Sequence, residues 1–534
     1  MTARGSRHGG PAVVMGMALW LGVSGCLMGT AASATTVSEP PGVTVDETAL
    51  STIDAYLARQ REEHGWPGLA AALVTGGEVA WSAGYGTAGP DGQPVTPQTP
   101  FLLASVSKSL TAVAVMRLVD AGVLALGDPV SEHVPELAPH GDGVTLRDLM
   151  AHRSGLGEAL DLEDMAGDPA ASLSADLDRV GADLRDQAEF TYTNANYDTL
   201  ALVVERAANR PFEQVLRDEV FGPLDMATST TEPTTARDAG LADGHYHWLF
   251  AGYRRNVPPL PDSTVGSYRM FASAEDVAHA LAMHVSDGSY GGAQVLSPES
   301  LSFLHTGEPV APDVDARYGG GLFIHPPQSA WMSGPSAAYR FIEHDGSAMA
   351  YRSYIWVMPE LGLGLVLLAN GNDWSDESPL PQVGFNVRQI LLDEEVTPVT
   401  SRSDALQRWG KHLFALLAVA HLAVTLTAIR PVRRLHAGRP AGRGGRAVLA
   451  VAAVLTITSV YALARLAPDV ADAPLRVVVA QAPDARIIVA VMVATTCLAV
   501  VLAIVCLASL RTRRPAHTSD SGGTQMRSPA AQGP

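Results

Sequence analysis

A serine and a lysine three positions apart are the residues of this chain best placed to do chemistry. Ser105 and Lys108 lie in the stretch FLLASVSKSLTAVAVMRLVDAG (101–122), whose apolar second half predicts a helix buried on most of its faces. The stretch contains no carboxylate before Asp120 that could pair with the lysine. Because an unpaired buried ammonium is costly, this lysine needs a reason for its position.

The spacing of the two residues suggests that reason. A lysine three residues after a serine lies on the same helix face, one turn away. A helix N-terminus favours a developing alkoxide and desolvation favours the neutral amine, so Lys108 can take the proton of Ser105. This is the Ser-x-x-Lys arrangement of a nucleophile and its proton partner. The alternative, a helix cap followed by a lysine that extends to solvent, fits poorly with the buried helix behind Lys108.

Four further segments, taken with Ser105 and Lys108, resemble one superfamily of serine enzymes. They are ALGDPVSEHVPEL (125–137), AHRSGL (151–156), FTYTNANYDTLALVVERAANR (190–210) and FIEHDGSAMAYRSYIWVMPELGLGLVLLANG (341–371). Together they resemble the serine β-lactamases and penicillin-binding proteins. The similarity covers residues 46–396 and is closest to the class C-like branch, which includes β-lactamases, D-alanine carboxypeptidases and esterases.

The resemblance implies a role for each matching residue. Ser105 would be the acylated nucleophile and Lys108 its proton partner. Tyr192 would be the general base and acid, with a phenol pKa lowered by the nearby lysine. Asn194 would hold the amide or ester of the substrate and brace Lys108.

A third motif departs from the family pattern. His344-Asp345-Gly346 stands where the penicillin-binding members carry Lys-Thr-Gly. The backbone amides of Ser105 and Ser347 would form the oxyanion hole, each such donor being worth about 3 kcal/mol. Histidine in place of lysine removes a fixed positive charge that binds the carboxylate of β-lactams and peptidoglycan stems. The departure favours an esterase-like or peptidase-like activity over β-lactam turnover.

Other polar residues predict structural roles or none. His152, in the AHRSGL segment, is expected to cap a loop, and Tyr197 is expected to pack within its helix. Arg269, in STVGSYRMFASAEDV (263–277), could supply the cation that the third motif lacks. His245 and His247 have neither a third ligand nor a carboxylate at a suitable spacing, so we expect no metal.

No cofactor is expected either. The run GYGTAG (84–89) matches the dinucleotide-binding pattern, but a Pro90-Asp91-Gly92 turn follows where a helix should begin. The run instead ends a predicted pair of strands around a Gly76-Gly77 turn.

The order of predicted elements indicates an α+β fold. Strands lie near both ends of residues 46–396, with helices between them and a closing helix at about 379–394. This order predicts one antiparallel sheet completed by distant segments, flanked by helices, with an additional all-helical region.

Charge and cysteine content narrow the function further. Residues 401–534 carry a net charge of +11, which leaves −29 for residues 1–400. An acidic globular part argues against a nucleic-acid partner. Cys26, Cys497 and Cys506 all lie outside residues 46–396, so this part has neither a disulfide nor a cysteine nucleophile.

Residues 1–34 are predicted to be an export signal. Arginines precede an apolar stretch, and Ala32-x-Ala34 offers a cleavage site. The alternative is lipidation of Cys26, because Val23-Ser24-Gly25-Cys26 resembles a lipoprotein processing site. Residues 35–45 are predicted to be a linker.

Three apolar segments near the C-terminus predict a membrane region at 412–512, between a linker (397–411) and a cytoplasmic tail (513–534). They cover residues 413–429, 447–464 and 487–510, and each has the length of a single pass. The six arginines of the first connecting loop, residues 430–446, place that loop in the cytoplasm by the positive-inside rule. The same rule places residues 35–408 outside.

These observations predict a membrane-anchored, extracytoplasmic serine hydrolase that acts on an ester or amide through an acyl-enzyme. A penicillin-binding D-alanyl-D-alanine carboxypeptidase or a β-lactamase is the alternative within the same chemistry, with a small-molecule or peptidoglycan-type substrate. A sensor that is acylated without turnover is the alternative that is not an enzyme.

The predicted topology can be tested with reporter fusions. A reporter that follows residue 514 should be active only in the cytoplasm, because the arginines of the loop and tail hold these segments inside. A reporter inserted at about residue 475 should be active only outside. The opposite pair of results would contradict the topology.

Overall fold

The computed structural model describes the chain with several gaps. The described residues are 43, 45–135, 143–156, 189–249, 251–256, 260, 264–312, 314–330, 332–372, 379–399, 405–466 and 483–511. Cys26, the export signal (1–34), nearly all of the linker at 35–45 and the predicted tail (513–534) lie outside them.

The chain divides into two compact units, and the first contains the described residues up to Gly410. Strands numbered along the chain build the sheets of this first unit. They are β1 Gly68–Thr75, β2 Glu78–Gly86, β3 Phe101–Leu102, β4 His245–Trp248, β5 Gly252–Arg255, β6 Phe271–Ala272, β7 Ser289–Tyr290, β8 Ala293–Gln294, β9 Glu308–Ala311, β10 Val314–Gly319, β11 Leu322–His325, β12 Phe341–Ala348, β13 Tyr351–Met358, β14 Leu363–Ala369 and β15 Gly371–Asn372.

Helices numbered in the same way surround the sheets and continue to the C-terminal region. They are α1 Glu47–Glu63, α2 Ser107–Asp120, α3 Val130–His133, α4 Leu146–Met150, α5 Asn194–Ala208, α6 Phe212–Leu216, α7 Pro233–Asp238, α8 Ala274–Val285, α9 Pro298–Leu304, α10 Leu380–Leu391, α11 Ala405–His436, α12 Gly442–Tyr461 and α13 Pro483–Arg511.

One sheet dominates the first unit. Among the described strands, eight are joined in the antiparallel order β2-β1-β14-β13-β12-β11-β10-β9. The N-terminal hairpin β1–β2 therefore lies beside β14, which comes almost 300 residues later in the chain, with Leu69 opposite Ala369. The predicted completion of an antiparallel sheet by distant segments is confirmed.

Strand β1 shows why the centre of this sheet is apolar on both faces. Ala70, Ala72 and Val74 pack into one hydrophobic cluster, which includes helices α2, α5 and α8. Leu69 and Leu73, on the opposite face, pack into a second cluster together with α1 and α10. Because successive side chains of a strand alternate between faces, a strand covered by helices on both sides carries apolar residues throughout.

Helix α2, which belongs to the hydrophobic cluster on one face of the sheet, is buried over most of its surface. Eleven of its side chains are buried, including the polar side chains of Ser107, Lys108 and Thr111. The prediction of a helix buried on most of its faces is confirmed.

Sequence patterns located some elements and missed others. The pattern of residues 46–65 predicts an amphipathic helix, and the alternation of residues 348–371 predicts two strands around Pro359. Both are present, as are the β1–β2 hairpin and the closing helix α10. His344-Asp345-Gly346 lies inside β12, whereas the sequence placed it at the start of a strand. The short strands β4 and β5 lie in the middle of the chain, about residues 110–310, which the sequence predicts to be rich in helices with long loops.

The second unit comprises residues 411–469 and 485–534. Its described helices contain three segments long and apolar enough to cross a membrane: Trp409–His436, Gly442–Leu466 and Asp484–Ser509. The three C-terminal apolar helices predicted from the sequence are therefore present.

Gly321 and Gly92 form a matched pair that tests the packing against α2. Both have left-handed φ angles, +75° and +73°. A Cβ on Gly321 would lie 2.4 Å from the backbone of Lys108, whereas a Cβ on Gly92 would meet nothing within 4 Å. We expect Gly321→Ala to lower the midpoint of thermal unfolding well beyond Gly92→Ala, whose cost is limited to about 1–2 kcal/mol of backbone strain. Equal shifts would contradict this packing.

Candidate active site

Ser105 lies in a tight turn at the entrance to α2. The turn is a 3₁₀ helix, Ala104–Val106, that leads directly into Ser107. Ala104 has a left-handed φ of 49°, a conformation that costs a non-glycine residue free energy. The hydroxyl of Ser353, on β13, donates a hydrogen bond of 2.5 Å to the carbonyl of Leu103 just before the turn. The sheet thus holds the backbone that presents Ser105.

Gly346 lets β12 approach this turn closely. A Cβ at this position would lie 2.3 Å from the carbonyl oxygen of Leu103 and 3.2 Å from the backbone nitrogen of Ser105. Glycine is therefore required for the strand and the Ser105 amide to lie side by side.

Lys108 is completely buried beside Ser105 and is surrounded by three oxygen atoms. Its Nζ lies 3.1 Å from Ser105 Oγ, 2.8 Å from Asn194 Oδ1 and 3.0 Å from the carbonyl oxygen of Ser267. The brace between Asn194 and Lys108 that the motif implied is present.

These contacts fix the orientation of a neutral Lys108 amine. The oxygens of Asn194 and Ser267 can only accept hydrogen bonds, so both N–H groups of the amine must point at them. The lone pair then faces Ser105 Oγ. Burial lowers the pKa of Lys108, while the charges of Asp198 and Asp345 oppose that shift. The amine can therefore accept the hydroxyl proton of Ser105.

Tyr192 lies beside both Ser105 and Lys108, and its pKa differs from the expectation. Its ring centroid is 4.9 Å from Lys108 Nζ, and its hydroxyl is hydrogen-bonded to Ser105. The sequence predicted a pKa lowered by Lys108. Burial instead raises the pKa of Tyr192 above its ordinary value, and the charge of Asp345 raises it further. The prediction was wrong because desolvation of the phenolate outweighs the hydrogen bond with Ser105, which lowers the pKa.

An aromatic cluster positions Tyr192. The rings of His152 and Tyr318 lie 4.4 Å and 6.0 Å from its ring. His152 Nδ1 accepts hydrogen bonds from the amide of Thr193 and the side chain of Asn196, so it holds the turn before α5 as expected of a loop cap. Tyr197 is fully buried and donates to the carbonyl of Met150, which confirms that it packs.

His344 is buried, and its hydrogen-bond contacts fit a neutral ring. Its Nδ1 lies 2.6 Å from the carbonyl oxygen of Asp345, and its Nε2 lies 3.3 Å from the hydroxyl of Tyr318. A carbonyl only accepts, so Nδ1 carries the proton and Nε2 accepts from the tyrosine. Burial lowers the pKa of His344. The third motif therefore contributes no fixed positive charge at neutral pH.

One edge of β12 is open beside Ser105. Strand β11 pairs with β12 over residues 341–343, while β13 pairs with it as far as Ala348. Among the described strands, residues 344–348 thus have a partner on one side only. Backbone groups on the open edge, in the segment that contains Ser347, are available to a substrate.

Residues 264–270 form the loop that supplies the carbonyl of Ser267. Arg269, in this loop, is buried, and its backbone amide donates to the carbonyl of Thr264. Its role as a substitute cation stays a prediction.

His245 and His247 lie on β4. The described residues hold no cluster of three His, Cys, Asp or Glu side chains that could bind a metal.

Sequence reasoning missed three contributors to the site: Asp198, Ser267 and Tyr318. Asp198 follows Asn194 by four residues, and this spacing on one helix face was an available signal. Ser267 contributes a backbone carbonyl, which no side-chain pattern reveals. Tyr318 opens the run Tyr-Gly-Gly-Gly, whose glycines mark a close backbone approach.

The comparisons with known proteins agree with this geometry. Residues 53–386 match the family model described as Beta-lactamase. Protein flp of Staphylococcus aureus (strain MW2) is 27% identical over 60% of this chain, which spans 63% of the length of that protein. Penicillin-binding protein 4 of Amycolatopsis lactamdurans is 30% identical, over 58% of this chain and 82% of its own length.

A solved structure shows the same fold. The class C β-lactamase from Rhodobacter sphaeroides matches with a TM-score of 0.54 and 21% identity, over 64% of this chain and 99% of that one. The expected β-lactamase-like α+β fold is therefore confirmed. The match of residues 53–386 to the family model, together with this fold, shows that the chain belongs to the β-lactamase family.

Proposed function

We propose that the protein is a serine hydrolase that forms an acyl-enzyme at Ser105 on an ester or amide substrate. The observation that carries this proposal is the arrangement around Lys108 Nζ. Two obligate acceptors hold the N–H groups of the neutral amine, and its lone pair is left on Ser105 Oγ at 3.1 Å. A serine without such a proton acceptor is a weak nucleophile.

The acylation step follows from these positions. Lys108 removes the hydroxyl proton while Ser105 Oγ attacks the substrate carbonyl, and the backbone amides of Ser105 and Ser347 stabilise the oxyanion. The intermediate collapses with transfer of a proton to the leaving group. Tyr192, hydrogen-bonded to Ser105, relays that proton from Lys108. A raised pKa suits this role, because the phenol stays protonated and passes protons without accumulating as phenolate.

Deacylation reverses the roles with water as the nucleophile. Tyr192 passes a proton from the water to Lys108 as the water attacks the acyl carbonyl, and Ser105 Oγ recovers its proton on release. Asn194 positions the carbonyl-bearing part of the substrate while it braces Lys108. The open edge of β12, including Gly346, receives the substrate backbone or its equivalent.

The neutral third motif supports a substrate without a carboxylate beside the scissile bond. His344 presents a neutral ring where a lysine would supply a cation, so electrostatic attraction for such a carboxylate is absent at this position. Neutral esters and amides are accordingly the proposed substrates.

The similarity to Penicillin-binding protein 4 favours a second candidate, a penicillin-binding carboxypeptidase or β-lactamase. An acylated sensor without turnover differs from both by failing to release product.

The proposed location is outside the cytoplasm, with the hydrolase domain (46–396) anchored by the membrane region (412–512). The three apolar helices support anchoring, and the arginines of residues 430–446 support the orientation. The signal (1–34), linkers (35–45 and 397–411) and cytoplasmic tail (513–534) complete this arrangement.

Substitutions at the site should separate the roles of its side chains. Ser105→Ala should abolish ester hydrolysis and labelling by a fluorophosphonate probe, and Lys108→Ala should do nearly the same. Tyr192→Phe should lower turnover by roughly 10²–10⁴-fold with an unchanged fold. Ser109→Ala is the matched control: its hydroxyl only donates to the carbonyl of Val106, so activity should persist. Hydrolysis that survives Ser105→Ala would refute the assignment.

His344→Lys tests the substrate class. An added cation at the third motif should raise penicillin acylation relative to hydrolysis of a neutral ester, with an added Coulomb attraction of about 1–4 kcal/mol. Ester hydrolysis in the same preparation shows that the variant folds. A wild-type protein that already turns over cephalosporins faster than neutral esters would favour the β-lactamase candidate instead.

A further inference from the structure

Asp198 is connected to Lys108 through one residue, Ser267, and has no part in the mechanism above. It follows Asn194 by one helical turn on α5, and only 4% of it is exposed. Its Oδ1 accepts from the amide of Ser267 and its Oδ2 from the Ser267 hydroxyl, each at 3.0 Å. The carbonyl of the same Ser267 accepts from Lys108 Nζ. A single residue therefore connects the buried carboxylate to the buried amine.

The loop between them is closely confined. The hydroxyl of Thr111, on α2, donates to the carbonyl of Gly266 at 2.6 Å. A Cβ on Gly266 would lie 2.2 Å from the carbonyl oxygen of Tyr197, so the loop lies directly on α5. Asp198 holds this loop from the α5 side through hydrogen bonds from Ser267 and from the backbone of Gly266, and the direction of the Ser267 carbonyl follows from them.

We propose that Asp198 is a positioning residue for Lys108: it fixes the Ser267 carbonyl at Nζ and stabilises the ammonium that forms when Lys108 takes the Ser105 proton. The inference rests on the proposed function, because it concerns the proton acceptor of the same site. It also identifies the partner that α2 lacks. The negative charge that compensates Lys108 comes from another helix, 90 residues later in the chain.

Other charged or titratable groups face Lys108 from the elements around it. They are Tyr192 before α5, Tyr197 on α5, His152 after α4, and His344 and Asp345 on β12. Asp345 is the other carboxylate, but its side chain is 43% exposed and lies 3.4 Å from Arg352, so solvent and the arginine weaken its effect. Burial raises the pKa of Asp198, while the hydrogen bonds from Ser267 and the positive charge of Lys108 lower it. The buried carboxylate and the buried ammonium therefore stabilise each other, and the two groups titrate together.

The charge of Asp198 is tested by the pH dependence of Ser105 labelling with a fluorophosphonate probe in the full-length protein. Lys108 must be neutral to accept a proton, so the labelling rate falls as pH drops through the pKa of Lys108. Asp198 raises that pKa, so Asp198→Asn should move the acid limb to lower pH, by about one unit. Asp276→Asn is the matched control. Asp276 is equally buried and accepts three hydrogen bonds from Thr228 and Ser229, and its loss should leave the limb in place.

Ser267→Ala tests the positioning role separately. It also keeps the inference testable if the Asp198→Asn variant fails to fold. Ser267→Ala keeps the carboxylate but removes one of its hydrogen bonds to the loop, so labelling should also slow at pH values well above the acid limb, where protonation of Lys108 does not limit the rate. If the acid limb of Asp198→Asn equals that of wild type, or if the Ser267→Ala rate equals that of wild type, the inference is wrong and the proposed function is unaffected. A wild-type protein that the probe does not label at Ser105 would overturn the proposed function, and the inference with it.

Discussion

The enclosure of the Lys108 amine is the constraint on which the rest of the site depends. A buried amine with its three neighbours at 2.8 to 3.1 Å requires oxygen atoms from three separate parts of the chain to meet at one point. The turn before α2, the start of α5 and the loop at 264–270 provide them. The helices and the sheet hold these parts in place. If one of them moved away, a polar group would be left without a partner inside the core, at a cost of several kcal/mol.

The same enclosure explains the division of labour among the polar residues. Desolvation lowers the pKa of the lysine and raises that of Tyr192, so at neutral pH one group can accept a proton while the other keeps its own. The two residues thus form an acid and base pair in which burial is the largest cause of both pKa shifts. At the third motif, burial also lowers the pKa of His344, so this position carries no fixed positive charge at neutral pH.

Local patterns were sufficient to predict much of this architecture. The helix α2, the hairpin β1–β2 and the paired strands β13–β14 are long and strongly periodic, and each was found by its own sequence. Ser105 and Lys108 were found because their spacing is itself the chemical signal. The connection from Lys108 to Asp198 was not, because it passes through a backbone carbonyl on a loop that is distant in sequence. The wrong direction for the pKa of Tyr192 has a related cause: the sequence shows which charges are near, but not how much water is excluded.

The proposed proton transfer requires Lys108 to be a neutral amine at working pH. The chain contains only two lysines, Lys108 and Lys411, so protein labelled with ¹³C at lysine Cε gives two signals, and Lys411→Arg leaves one. Titration of the remaining signal by NMR in the full-length protein should give a pKa well below the ordinary lysine value of about 10.4. A Lys108 signal that titrates at or above that value would show a permanent ammonium and contradict the proposed proton transfer from Ser105.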